Sequence, residues 1–105
     1  MHILTPGYRY ALVSFEGKSD PQVIQFIEKA SVKNPDGAAT FTTIHDGTTN
    51  EEVAAMLINR IEFLNARHPC QENLDAIAAF TLGLSKLNAR TANRKARGVE
   101  GTDKP

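Results

Sequence analysis

The spacing of apolar positions changes once along this chain. Up to about Gly47 they fall in short runs rich in aromatic and β-branched residues, separated by turn signals. Tyr8-Arg9-Tyr10-Ala11-Leu12-Val13-Ser14-Phe15 has strand composition, and Gly17-Lys18-Ser19-Asp20-Pro21 breaks it. Val23, Ile24, Phe26 and Ile27, within Gln22 to Lys29, suit either a short strand or one and a half helical turns. Shortness and β-branching favour the strand. Asn34-Pro35-Asp36-Gly37 is a turn, and Ala39-Thr40-Phe41-Thr42-Thr43-Ile44 is a third strand, ended by Asp46-Gly47. Three short strands joined by turns predict an antiparallel meander with one face needing cover.

From Thr49 the period is helical. Thr49-Asn50-Glu51-Glu52 has the form of a capping box, and its acids suit the positive end of a helix dipole. Val53, Met56, Leu57, Ile61 and Leu64 make one stripe, with Ile58 and Phe63 off it. Pro69 ends this helix, because the residue before proline is pushed out of the α region. A second helix is predicted from about Gln71 to Lys95, with Leu74, Ile77, Phe80, Leu84 and Leu87 in its stripe and Leu82 outside. The link His68-Pro69-Cys70 is short, so the helices should be antiparallel neighbours.

The expected fold class is therefore α+β: short N-terminal antiparallel strands packed with a C-terminal two-helix antiparallel hairpin. One domain over residues 1–105 is expected, β-rich through 1–47 and helical from 48. The helices carry more apolar residues than one mutual seam needs. Either the sheet absorbs the surplus or copies of the chain associate through it.

Composition narrows the classes. The apolar fraction of 41% and charged fraction of 23% are those of an ordinary soluble chain. The net charge is zero, which argues against polyanion binding by the chain as a whole. Its distribution is uneven. From residue 85 onward Lys86, Arg90, Arg94, Lys95, Arg97 and Lys104 face only Glu100 and Asp103, six bases against two acids, or +4. Residues 51–84 hold five acids (Glu51, Glu52, Glu62, Glu72, Asp75) against Arg60 and Arg67, or −3. Such asymmetry fits a local anion site, a head-to-tail contact between subunits, or a solvated helix face. A single cysteine, Cys70, gives no internal disulfide framework and fits a reducing compartment. The N-terminus lacks a signal peptide's basic and apolar regions, and no apolar run approaches a membrane span, so a cytoplasmic location is expected.

Catalysis finds no constellation. His2, His45 and His68 have no partners at metal-ligand spacing, Cys70 has no base supplied by pattern, and nucleotide-binding glycine motifs are absent. A non-enzyme with no metal and no cofactor is the reading. The informative stretch is the end of the second helix. Arg90, Arg94 and Arg97 are spaced by four and three and line one face. Cations there suit the dipole, and Gly98 suits a left-handed helix stop, which is one explanation. The other is anion recognition: aligned guanidinium groups beside a glycine-containing turn with a hydroxyl, Gly98-Val99-Glu100-Gly101-Thr102, suit phosphate.

The run Asp46-Gly47-Thr48-Thr49-Asn50-Glu51-Glu52, then Leu57-Ile58-Asn59-Arg60, Pro69-Cys70-Gln71-Glu72-Asn73, Arg90-Thr91 and the closing Arg97-Gly98-Val99-Glu100-Gly101-Thr102 resemble a family of short phage proteins. These carry the hairpin domain shared by anti-CBASS and Thoeris anti-defence proteins. The resemblance spans roughly Asp46 to Lys104, and its strands-then-hairpin layout is closer to the Thoeris type. It implies a molecular sponge in the bacterial host cell: a homo-oligomer, often a hexamer, that sequesters a cyclic nucleotide signalling molecule (a cyclic oligonucleotide or a cyclic ADP-ribose isomer) without cleaving it. Carried over residue by residue, it implies that Arg90, Thr91, Arg94, Arg97, Gly98, Gly101 and Thr102 hold phosphate or ribose, with Arg60 facing an inter-subunit pocket. The chain departs from its relatives at Gln71 and through Ala78-Ala79-Phe80-Thr81-Leu82.

Two other readings compete. One is an oligomeric structural or interaction protein of phage origin with no nucleotide ligand, its basic tail docking on an acidic helix of a neighbour. The other is nucleic-acid binding. Against it stand the lack of aromatics among the basic residues and the confinement of the charge to one helix end. Neither a specific nucleic acid nor a membrane is expected as a partner.

Overall fold

The computed structural model describes residues 1–98. Five strands precede two helices: β1 (His2–Thr5), β2 (Arg9–Leu12), β3 (Gln22–Gln25), β4 (Glu28–Lys33), β5 (Ala39–His45), α1 (Asn50–Arg67) and α2 (Gln71–Ala96). The chain is α+β. Its strands and helices fall into two compact units, with the chain passing from one to the other between Thr49 and Asn50.

In the β unit, β1, β2 and β3 make an antiparallel sheet in that order, and β4 and β5 make a separate antiparallel ribbon. The predicted single meander is corrected on this point. The Gln22–Lys29 run is extended as expected, but it is divided: β3 stays with the first sheet and β4 opens the ribbon. Phe26 marks the division. Its amide donates to the Tyr8 carbonyl at 2.7 Å, it forms an isolated parallel bridge with Thr48, and its ring meets Tyr10 edge-on at 5.9 Å. The strand read over Tyr8–Phe15 closes earlier, at Leu12, and Phe15 is fully exposed. The ribbon turns where Asn34-Pro35-Asp36-Gly37 predicts. The Gly37 amide donates to the Asn34 carbonyl at 3.0 Å, the Ala38 amide donates to Asp36 Oδ1 at 2.9 Å, and Gly37 takes φ 86°, which glycine adopts without a Cβ clash.

A second glycine locks the two sheets together. The 46–48 segment runs against residues 25–27, with the Thr48 amide donating to the Gln25 carbonyl at 2.8 Å and the Ile27 amide to the Thr48 carbonyl at 2.9 Å. A Cβ on Gly47 would strike the Gln25 carbonyl oxygen and lie 2.7 Å from the Phe26 carbonyl carbon, both rigid backbone atoms.

In the helical unit, α1 begins one residue past Thr49 and ends just before His68-Pro69, as read from the sequence. The two helices pack as an antiparallel hairpin. Asparagines tie the connection: the Cys70 amide donates to Asn65 Oδ1 at 3.1 Å, and Asn73 Nδ2 donates to the His68 carbonyl at 3.4 Å. The seam differs from the predicted stripe on α1. Half-buried positions there are Glu51, Val53, Ala54, Leu57, Ile58, Ile61 and Asn65, while Met56 is 57% exposed. The α2 side runs through Asn73, Ala76, Ile77, Leu84, Leu87 and Thr91, near the three-and-four spacing of a knobs-into-holes seam. Polar Asn65, Asn73, Glu51 and Thr91 occupy its two ends, so the apolar stripe drawn from the sequence is displaced by about one residue.

Burial is sparse. Among the described residues only Ala11 and Arg94 are buried. Met56, Phe63, Leu64, Leu74, Phe80 and Leu82 of the helical unit are exposed.

Gly47→Ala is expected to cost about 1–3 kcal/mol of stability, the usual scale for forcing atoms into occupied space. Urea denaturation followed by β-sheet circular dichroism checks this; Gly83→Ala, where an added Cβ meets open space, is the control and should not destabilise.

Candidate functional site

The last two turns of α2 gather most of the residues singled out from sequence. Arg90, Thr91, Arg94 and Arg97 follow one another at four- and three-residue spacing, and Gly98 closes the helix. Their environments differ. Arg90 is exposed, Thr91 is half-buried, and Arg94 is buried at 6% exposure. Arg97 is the C-cap, exposed, with Nε donating to Asn93 Oδ1 at 2.8 Å one turn back. The capping role read for Gly98 is present in the backbone: Gly98 has φ 70°, and its amide donates to the Lys95 carbonyl at 3.0 Å while that of Arg97 donates to Asn93 at 3.1 Å. Gly101 and Thr102, expected to belong to an anion-binding turn, lie outside the described residues, as do Val99 and Glu100.

Antiparallel closure sets what this end faces. The first turn of α1 carries Glu51 and Glu52, and the last turn of α2 carries Arg94 and Lys95. The Thr91 hydroxyl donates to Glu51 Oε1 at 2.8 Å, fixing the two turns at one level. Acids beside one helix start and bases beside the adjoining helix end suit both dipoles. The bond also uses the one proton Thr91 can give. An unprotonated phosphate oxygen can only accept and would have to displace Glu51 to take it. Glu51, which the sequence reading placed only in a capping box, is thus a partner of the candidate cluster through Thr91. The available signal was its position at three-and-four spacing ahead of Ala54, Ile58 and Ile61, on the seam.

Arg60 is not brought to this cluster within one copy of the chain. It is exposed and stands nine residues beyond Glu51 on α1, about 13 Å along the axis. Near the other end of the helix, the Arg67 guanidinium lies 5.8 Å from the centre of the Phe63 ring. Among the described residues no group of three or more histidine, cysteine or acidic side chains is placed to hold a metal ion, and no helix is long and apolar enough to cross a membrane.

No family model matches the chain, and no solved structure matches it. Among curated proteins, Thoeris anti-defense 1 of Bacillus phage SBSphiJ7 is 47% identical over 58 residues, which is 54% of this chain. The similarity supports a phage Thoeris anti-defence family. This chain spans only 41% of the length of that relative.

Thr91→Val is expected to lower stability by about 1 kcal/mol, the modest end for a bond to a carboxylate because the pair is only part-buried. A double-mutant cycle with Glu51→Gln, read by denaturant unfolding, should show a coupling energy of similar size.

Proposed function

We propose that this chain is a non-enzymatic phage anti-defence protein that works in the bacterial host's cytoplasm. It binds a cyclic nucleotide second messenger at the arginine-bearing end of α2 and holds it uncleaved. The observation that carries this reading is the 47% identity over 58 residues to a Thoeris anti-defence protein, joined to the clustering of Arg90, Arg94 and Arg97 in the last two turns of one helix. Guanidinium groups are the side chains best matched to phosphate oxygens, which they bind bidentately with charge assistance. Gly98, Gly101 and Thr102 complete the pocket in this proposal, Thr91 orients it through Glu51, and Arg60 serves a pocket that a second subunit completes.

The active form is a homo-oligomer, with a hexamer the expected size. The exposed Met56, Phe63 and Leu64 of α1 and Leu74, Phe80 and Leu82 of α2 support it, because hydrophobic side chains this numerous on a small helical unit gain by mutual burial. A single chain of 105 residues also has little core of its own to rely on.

A second reading has an observation in its favour. Glu51 and Glu52 stand at the same end of the hairpin as Arg94 and Lys95, so part of the basic charge serves helix–helix complementarity. On that reading the chain is an oligomeric accessory protein without a nucleotide.

Calorimetric titration with cyclic di- and trinucleotides and cyclic ADP-ribose isomers separates the two. The sponge reading expects saturable binding by one of them. Arg90→Ala, at an exposed position that the fold does not rely on, should weaken it by about 1.5–3 kcal/mol. Silence across the panel with the oligomer intact would favour the accessory role. Leu82→Glu should shift the assembly toward smaller species in light scattering after size exclusion, without loss of helical circular dichroism.

A further inference from the structure

The β unit contains a feature that the arginine cluster does not account for. Thr5, Arg9, Gln25, Glu28 and His45 line an open cavity of about 390 Å³, within the range of small-ligand sites. Each of the five strands contributes one of these residues. They form cross-strand pairs, Thr5 with Arg9, Arg9 with Gln25, and Glu28 with His45.

Two of the three pairs follow a break in register. Between the Ile3–Tyr10 pair and the Thr5–Arg9 pair, β1 carries one extra residue, Leu4. Between the Lys29–Thr43 pair and the Glu28–His45 pair, β5 carries the extra residue Ile44. A bulge re-aims the side chains that follow it, and both re-aimed pairs open into the same cavity. The cavity also sits at the joint that Gly47 permits, where Gln25 and Phe26 are clamped by the 46–48 backbone. The wall at Gln25 is thus held by backbone contacts.

The chemistry of the lining selects a ligand class. Arg9 and Glu28 carry opposite charges into one cavity and are not joined to each other by an ion pair. Gln25 donates from Nε2 to the Phe26 carbonyl at 2.8 Å, leaving its side-chain oxygen as an acceptor. The one ring in the lining is the His45 imidazole; no Phe, Tyr or Trp joins it to sandwich a base. The formal charges of Arg9 and Glu28 cancel, and a phosphate would gain Arg9 only at the cost of facing Glu28.

We propose that this cavity is a binding site for a small zwitterion, an α-amino acid whose carboxylate meets Arg9 and whose ammonium meets Glu28. Gln25, Thr5 and His45 supply the remaining acceptors and donors around the ammonium and carboxylate groups.

The test is titration of the protein with glycine, L-alanine, L-glutamate and L-lysine, followed by amide-resolved nuclear magnetic resonance. At least one should shift the Thr5, Gln25, Glu28 and His45 resonances saturably by about 10 mM, ten times a 1 mM Kd. Glu28→Gln and Arg9→Gln should each weaken that response by roughly tenfold or more, as loss of a charge-assisted contact would. Lys33→Gln, at the far end of β4, should not. Acetate and methylammonium, which carry one charge each, provide a test needing no variant: neither alone should match the amino acid. Equal binding of acetate or inorganic phosphate would overturn the proposal, as would unmoved resonances at these residues with all four amino acids.

Discussion

With only Ala11 and Arg94 buried among the described residues, this protein cannot depend on a large apolar core for its geometry. Directional contacts take that role. Hydrogen bonds fix distance and angle, whereas apolar burial rewards any close approach. The contacts cluster at the joints: the 46–48 backbone against 25–27 in the β unit, Asn65 and Asn73 around the helical turn, and Thr91 with Glu51 at the open end of the hairpin. The polar residues at both ends of the seam also resist slippage, since a shifted register would separate each from its partner.

The same scarcity of burial connects structure to assembly. Apolar side chains that find no cover in their own unit remain available to another copy, and α1 and α2 present them along much of their length. The proposed sponge would benefit from such an arrangement, because subunits that met through their helices could complete pockets that one copy leaves open. Arg60 fits this picture: it lies too far along α1 to join the arginine cluster of its own chain.

Much of the fold was legible because each unit has a local cause. Helix boundaries follow from Thr49-Asn50-Glu51-Glu52, from Pro69 and from Gly98, and the ribbon's turn follows from Asn34-Pro35-Asp36-Gly37. β1 went unread, since four residues before Pro6-Gly7 carry little periodicity; the proline–glycine pair itself was the usable sign of a hairpin. The division of Gln22–Lys29 between two sheets depends on Gly47, a contact twenty residues away that no local pattern encodes. The displaced α1 seam has a similar cause, because Glu51 and Asn65 occupy seam positions through hydrogen bonds that hydrophobic spacing does not register. Of the arginine site, the spacing on one helix face was readable, whereas the burial of Arg94 and the Thr91–Glu51 bond required three-dimensional pairing of the two helices. The bulge-lined cavity of the β unit was invisible for the same reason: its five residues come from five strands.

The proposed activity is sequestration without chemistry. Its most direct test is to add purified protein to a defined amount of each cyclic nucleotide in turn, filter off the free ligand, then denature the protein and measure the released nucleotide by mass spectrometry. The account expects the free signal to fall in proportion to added protein and to return intact and in full on denaturation. Recovery of a cleaved product, or free ligand that never falls for any cyclic nucleotide, would contradict it.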